Sequence, residues 1–200
     1  MSEIEAAVEA IRVGRLAIVP TDTVYGLAAN AYSEGPARRL YRAKGREEIQ
    51  PTALVASDVD MLLECVPELR GRAALIARAV LPGPLTLVLP NPARRFRWLS
   101  GARPETIGVR VPALEGIAQD LLSRLGAIVA TSANLPGGPD PSTIDEVPEQ
   151  IRAAADAIVD AGPLPGRPST VVDLTGSEPV VLREGAVPVD EALRLVGSVL

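Results

Sequence analysis

Short apolar runs of strand length recur along this chain and alternate with segments of helical periodicity. This alternation limits the possible folds more than any other feature. The runs Leu16–Val19 and Leu85–Leu89 are typical, since each is rich in aliphatic residues and is followed directly by a proline. Chains that interleave strands with helices form layered α/β domains, in which helices flank a twisted sheet. Several connections between strands are too short for a helical crossover, so we expect a mixed sheet.

Caps and punctuating residues predict where the helices begin and end. Ser2 and Glu5 form a capping-box pattern for a helix that ends near Arg12. Ser33 is the predicted cap of a second helix, which ends near Lys44. Further helices are predicted from Ser57, from Pro67 to Val80, from Leu114 to Leu125, from Val147 to Ala155 and from Val189 onward. The chain has neither an internal repeat nor a dividing linker, so residues 1–200 are predicted to form a single domain.

Composition excludes several kinds of chemistry. The chain has no histidine and one cysteine, which removes the common zinc sites and the Ser-His-Asp and Cys-His forms of catalysis. Any metal is then expected to be a hard cation such as Mg²⁺, arriving with a polyphosphate. The net charge of −5 argues against a general nucleic-acid binder, so an anion site must be local. No signal peptide or membrane-length apolar run is present, and we expect a cytoplasmic protein.

The basic residues are distributed unevenly, with nineteen arginines and a single lysine, Lys44. The lysine is either a chance survivor in an arginine-rich composition or a position that needs a compact ammonium group. Arg46 follows two residues later, and the two cations can converge on one anion. They can equally well complement the dipole at a helix C-terminus, so this pair alone leaves both interpretations open.

Polar residues cluster at predicted strand ends, where open α/β sheets usually bind ligands. The clusters are "PTDTVYGL", "KGR", "TIGVRVP", "TSANLPGGPDPST" and "GRPSTVVD" with "LREG". Each is also compatible with ordinary turn chemistry. Arg110 alternates with Ile107 and Val109 and is therefore either a surface residue or a carboxylate clamp. Neither a Walker A loop nor a G-x-G-x-x-G motif is present, so ATP would have to bind in another way.

Seven segments in order, "PTDTVYGL", "KGR…P", "PGPLTLVLP", "GVRVP", "TSAN…PST", "STVVD" and "LREG", cover nearly the whole chain. In this combination the sequence resembles the YrdC/Sua5 family of threonylcarbamoyl-AMP synthases, in its short, single-domain TsaC-type form. The resemblance implies a nucleotidyltransferase that converts L-threonine, bicarbonate and ATP to L-threonylcarbamoyladenylate and pyrophosphate. The product would pass to a transferase that makes N6-threonylcarbamoyladenosine in tRNA. The implied fold is a mixed sheet flanked by helices around a concave cavity, with Mg²⁺ accompanying ATP and no metal held by the protein.

The resemblance also implies site residues, with Lys44 and Arg46 in the catalytic role. The implied ATP-binding residues are Lys44, Arg46, Gln50, Thr106, Asn134, Ser142 and Arg183. The implied L-threonine-binding residues are Thr23, Arg110, Ser132 and Ser169, with Arg110 holding the substrate carboxylate. One departure concerns Glu47, which stands where the family often has proline, and a second acid, Glu48, follows it.

Two alternatives stay open at the level of sequence. Related domains of hydrogenase-maturation carbamoyltransferases adenylate a carbamoyl group, although those proteins also contain cysteine-rich zinc segments that this chain lacks. The loop "RRFRWLS", Arg94–Ser100, interleaves arginines with aromatic residues, a pattern that can bind single-stranded RNA. The same loop can instead be a mobile cover over the active site or an edge folded back on the core.

Overall fold

The computed structural model describes residues 2–47 and 49–199. Within these residues the helices are α1 (Glu3–Arg12), α2 (Glu34–Lys44), α3 (Val59–Cys65), α4 (Arg72–Val80), α5 (Gly116–Leu125), α6 (Glu149–Ala154) and α7 (Val189–Gly197). The strands are β1 (Ala17–Val19), β2 (Gly26–Asn30), β3 (Ala53–Ala56), β4 (Leu85–Pro90), β5 (Thr106–Arg110), β6 (Ala127–Ser132), β7 (Ala157–Ile158), β8 (Thr170–Asp173) and β9 (Val180–Arg183). Two short 3₁₀ turns lie at Arg97–Leu99 and Ile144–Glu146.

All nine of these strands belong to one sheet, in the order β7-β1-β2-β6-β3-β5-β4-β8-β9. The pairs β1/β7, β3/β5 and β4/β8 are parallel, and the other neighbouring pairs are antiparallel. The prediction of a mixed α/β sheet is therefore confirmed. In the described part of the chain, no helix has both the length and the apolar character needed to cross a membrane.

The two faces of the sheet are covered to different extents. On one face, helices α2, α3, α4, α6 and α7 contribute buried residues to a large apolar cluster with strands across the sheet. On the other face, α1 and α5 pack in a smaller cluster over β1, β2, β6 and β3. The part of this second face that includes β5, β4 and β8 is where a cavity opens instead.

Most predicted helix ends agree with the structure, but two helix starts are wrong. The Ser2–Glu5 capping box is formed, and Gly45 closes α2 in the left-handed conformation with φ of 64°. Helix α3 is capped by Asp58 rather than Ser57, because the Asp58 carboxylate accepts from the Met61 backbone N–H at 2.8 Å. The helix predicted from Pro67 begins only at Arg72, after Gly71 with φ of 56°.

The arginine-rich loop is folded back on the core. The indole of Trp98 donates to the Ala31 carbonyl at 3.1 Å, and Leu99 is fully buried. The ring of Phe96 packs between those of Tyr32 and Trp98, with centroid distances of 6.1 and 6.0 Å. This confirms the interpretation as an edge folded on the core. RNA binding by the exposed arginines of this loop stays a prediction.

Gly101 allows this loop to approach the segment that follows α2. It has φ of 61°, and a Cβ atom there would collide with the backbone carbonyl of Ile49. Hydrogen bonds from Ala102 N to Ile49 O (3.0 Å) and from Thr52 N to Leu99 O (2.8 Å) join the two segments.

We therefore expect Gly101→Ala to lower the free energy of unfolding by roughly 1–3 kcal/mol, measured by denaturant titration. Gly137→Ala is the matched control, because Gly137 also has positive φ (77°) but a Cβ atom added there would meet nothing within 4 Å. If the two variants lose the same free energy of unfolding, the close approach of Gly101 to Ile49 is not the cause of the loss.

Candidate active site

A cavity of about 170 Å³ lies on the helix-free part of the sheet face. Its floor consists of small residues on four central strands, Gly26, Ala53, Gly108 and Ala130. A Cβ atom added at Gly108 would make only ordinary van der Waals contacts with Ala53 and Thr52. Larger side chains at these floor positions would therefore fit there and fill the space. The polar side chains that line the cavity are Thr21, Arg46, Thr52, Thr86, Arg110, Thr131, Ser132, Ser169 and Arg183.

Lys44 is the last residue of α2, as the helix C-terminus interpretation requires, but it is only 5% exposed and is therefore not a surface cation. Its ammonium group donates to the backbone carbonyl of Ser132 and to Asn134 Oδ1 at 2.6 Å, and lies 3.4 Å from Ser132 Oγ. Helix α2 thereby places its terminal cation at the end of β6. The segment Lys44–Arg46 and the segment Ser132–Asn134, which the sequence predicts as separate clusters, meet at this point.

Burial lowers the pKa of Lys44 to about 8, and the nearby charges of Arg46 and Arg183 act in the same direction. Asp140 opposes this effect without abolishing it. A lysine whose ammonium form is costly in the folded protein is stabilised by an added anion. The site is therefore suited to a negatively charged ligand.

Arg46 reaches the cavity from the turn after α2. Its Nη1 donates to Thr131 Oγ1 at 3.1 Å and its Nη2 to the Pro51 carbonyl at 2.6 Å. Its Nε is buried and has no hydrogen-bond partner among the described residues. Glu47 is exposed, and Glu48 lies outside the described residues.

Arg110 is buried at the end of β5, so the alternative of a surface arginine is wrong. Its Nη2 pairs with Asp22 Oδ1 and also donates to Thr23 Oγ1 at 2.8 Å. Asp22 Oδ2 accepts from the backbone N–H of Ala113 at 3.0 Å. The "PTDT" turn is thereby attached to the carboxyl end of β5.

A β-bulge directs Arg183 into the cavity. Along the β8/β9 ladder Val172 pairs with Val181, but Val171 pairs with Arg183, so Leu182 is an extra residue. Cross-strand partners share a face, and Val171 lines the cavity. Without the bulge Arg183 would share the core-facing side of Val181. Its Nη2 donates to Ser169 O (2.8 Å) and lies 3.3 Å from Ser169 Oγ.

The remaining predicted residues are distributed between the cavity and its surroundings. Arg46, Arg110, Ser132, Ser169 and Arg183 line it. Lys44, Asn134 and Thr23 lie behind the wall: Lys44 and Asn134 contact Ser132, and Thr23 contacts Arg110. Three others are not brought to its wall: Gln50 is exposed, Thr106 Oγ1 donates to Arg103 O, and Ser142 Oγ bonds Glu146. Within the described residues, no group of three or more His, Cys, Asp or Glu side chains is arranged to hold a metal ion.

The polar residues of the site that were missed are Thr21, Asp22, Thr52, Thr86 and Thr131. Thr131 holds Arg46, Thr86 Oγ1 lies 2.8 Å from Ser169 Oγ, and Asp22 pairs with Arg110. Because side chains alternate between the two faces of a strand, the sequence of β4 could have placed Thr86 on the face opposite Leu85 and Leu87. No sequence signal identifies Asp22 as the partner of a residue 88 positions away.

The fold and the site together define a mixed α/β protein with a concave, cation-lined cavity for an anionic ligand. Comparison with protein families agrees: the Sua5/YciO/YrdC model, described as "Telomere recombination", matches residues 9–185. The chain belongs to this family.

Individual relatives extend the comparison. The chain is 36% identical over 198 residues to the threonylcarbamoyl-AMP synthase of Pyrococcus abyssi, a match that covers 98% of this chain and 58% of that protein. The crystal structure of P. abyssi Sua5 complexed with L-threonine superposes with a TM-score of 0.87 at 38% identity, covering 98% of this chain and 58% of the other. The crystal structure of Escherichia coli YciO gives 0.81 at 31%, covering 94% and 91%. The chain thus spans less than two thirds of the length of the P. abyssi relative.

The lowered pKa of Lys44 makes anion binding dependent on protons. The unfolded chain binds more protons than the folded one between pH of about 8 and 10.5, so this group's contribution to the free energy of unfolding rises with pH in that window. A bound polyphosphate raises the pKa again, so ATP binding at about pH 8.5 should take up a fraction of a proton.

Calorimetry in two buffers of different ionisation enthalpy measures this uptake. Lys44→Met is the control, because it removes the titrating ammonium and keeps the length of the side chain. Uptake of the same size in both proteins would assign the proton to another group.

Proposed function

We propose that this protein is an L-threonylcarbamoyladenylate synthase. It would use L-threonine, bicarbonate and ATP and release L-threonylcarbamoyl-AMP and pyrophosphate. The product would go to a threonylcarbamoyl transferase that modifies adenosine in tRNA, and the reaction would take place in the cytoplasm, where these substrates are available. Membership of the Sua5/YciO/YrdC family and the likeness to a threonine-bound relative support this proposal.

The proposal rests mainly on one observation. Both serines that the resemblance assigns to threonine binding contact a cation that it assigns to ATP binding. Ser132 contacts Lys44, and Ser169 contacts Arg183. Ser132, Ser169 and Arg183 line one cavity and Lys44 lies directly beside Ser132, so the two implied subsites are adjacent. An enzyme that joins an amino-acid derivative to the α-phosphate needs this adjacency, because the two reacting groups must be held in contact.

The reaction that fits this site consists of two steps. Bicarbonate loses hydroxide to give CO₂, and the neutral amine of threonine forms an N–C bond to it. The proton that the nitrogen then loses combines with the hydroxide as water, which leaves a carbamate. A carbamate oxygen then attacks the α-phosphorus of ATP, and the bond to the β-phosphate oxygen breaks as pyrophosphate leaves. Lys44, Arg46 and Arg183 neutralise the phosphate charge, and Arg110 orients the threonine carboxylate. Histidine is not required for either step.

Mg²⁺ would enter with the nucleotide. The polar residues that line the cavity are cations and hydroxyls, so phosphate oxygens rather than carboxylates are the available ligands for the metal. When bound, the metal supplies charge neutralisation on the polyphosphate. The protein residues supply the position of the α-phosphate relative to the carbamate.

The direct test is release of pyrophosphate from ATP by the purified protein, with mass-spectrometric detection of the adenylate. Release should require both threonine and bicarbonate. Activity in which carbamoyl phosphate replaces both substrates would overturn the proposal in favour of the hydrogenase-maturation type of chemistry.

Lys44→Met should lower turnover by roughly 10²-fold or more, because a buried cation directed at the phosphates is lost. Its stability must be measured in parallel. The substitution removes a donor to Ser132 O and to Asn134 Oδ1, although Ser132 Oγ still donates to Asn134 Oδ1 at 2.8 Å. Near-normal turnover in folded Lys44→Met would remove the residue from the mechanism.

Arg110→Lys should raise the KM for threonine about tenfold or more and leave the KM for ATP nearly unchanged. The variant keeps the positive charge beside Asp22 but loses the planar fork that binds a carboxylate. It is preferable to Arg110→Ala, which would leave Asp22 buried without its partner. Parallel increases in both KM values would count against a role confined to threonine.

A further inference from the structure

Asp22 is a carboxylate in a place where the proposed substrate also has one. Its side chain is 9% exposed and pairs with the arginine assigned to the threonine carboxylate. In the absence of substrate, Arg110 is thus already neutralised. A simple carboxylate clamp would be stronger without this acid, so its presence needs an explanation.

Both members of the pair have unused hydrogen-bonding capacity. Arg110 uses Nη2 for Asp22 and Thr23, while its Nε is buried and has no partner among the described residues. Asp22 accepts one hydrogen bond on each oxygen, from Arg110 and from Ala113 N. An ionised carboxylate has about four acceptor positions, so it can accept a further donor. Arg110 lines the cavity and Asp22 lies directly beside it, so the pair has one spare donor and one spare acceptor on neighbouring side chains.

The charges of the pair complement a zwitterion. A lone anion entering a neutral ion pair is attracted by Arg110 and repelled by Asp22. An α-amino acid carries an ammonium and a carboxylate on the same carbon, and so can place each group against its opposite charge. This arrangement also discriminates against hydroxy acids and other anions that lack the ammonium.

We propose that Asp22 binds the α-ammonium group of the amino-acid substrate, while Arg110 binds its carboxylate. This inference rests on the proposed function and adds to it a residue that selects amino acids. Asp22 acts in substrate binding and holds Arg110 in place through the same carboxylate. The subsequent loss of a proton from the ammonium is not assigned to Asp22.

The test compares L-threonine with 3-hydroxybutanoate, which is threonine without its ammonium group, in binding titrations followed by ligand-observed NMR. Wild-type protein should bind threonine at least about tenfold more tightly. Asp22→Asn should weaken threonine binding about tenfold or more and leave 3-hydroxybutanoate binding unchanged or tighter. A purely structural role of Asp22 would instead weaken the binding of both ligands alike.

Asp60→Asn is the matched control, because Asp60 is an exposed acid on α3 whose ion pair with Arg78 lies on the surface. It should leave both affinities unchanged. Equal losses for both ligands in Asp22→Asn would overturn the inference and assign Asp22 only to holding Arg110. If the variant does not fold, wild-type protein that binds 3-hydroxybutanoate as tightly as threonine would overturn it equally.

The same experiments separate this inference from the proposed function. Wild-type protein that neither binds threonine nor forms the adenylate would refute the proposed function itself. Wild-type protein that forms the adenylate, combined with an unchanged ratio of the two affinities in Asp22→Asn, would refute only the role of Asp22.

Discussion

The site depends on an incomplete layer of helices over one face of the sheet. Helices α1 and α5 cover β1, β2 and β6 on this face, and the cavity occupies the region beyond them. A sheet face left without a helix must avoid large apolar side chains, which would be exposed to water. The floor of Gly26, Gly108 and alanines meets this requirement and provides the volume for a ligand. The absence of a helix over this part of the sheet thus explains both the small residues on these strands and the position of the site.

The cations of the site are held mainly by neutral acceptors. Lys44 donates to a carbonyl and an amide oxygen, Arg46 to a carbonyl and a hydroxyl, and Arg183 to a carbonyl. Burial lowers the pKa of Lys44 and Arg46, and Arg183 lowers both further. A carboxylate partner would remove this electrostatic cost but would also compete with phosphate. Neutral acceptors orient the cations and leave their charge for the ligand, whose binding then stabilises the folded state. Within the part of the chain that the structure describes, Arg110 is the cation of the site that pairs with a carboxylate.

The sequence predicts local features of this fold well and tertiary ones poorly. The alternation of strands and helices, the Ser2–Glu5 box and the stop at Gly45 depend on neighbouring residues, and the structure agrees with them. The helix start expected at Pro67 was wrong because a proline permits a first turn without requiring one. The bulge at Leu182 could not be predicted, because the sequence "PVVLREG" is equally compatible with a regular strand. The burial of Arg110 depends on Asp22, to which only the folded chain connects it.

The long sequence separation of these contacts has a consequence for how the site forms. Lys44 meets Asn134 across 90 residues and Arg110 meets Asp22 across 88, and Arg183 comes from β9, near the end of the chain. Local elements can form early, but none of them contains two of these partners. The cavity therefore acquires its full set of charges only when β9 has joined β8 with its bulge in register. Arg46 and Arg183 lower the pKa of Lys44, so these like charges oppose this final assembly, and apolar packing on the opposite face must outweigh their repulsion.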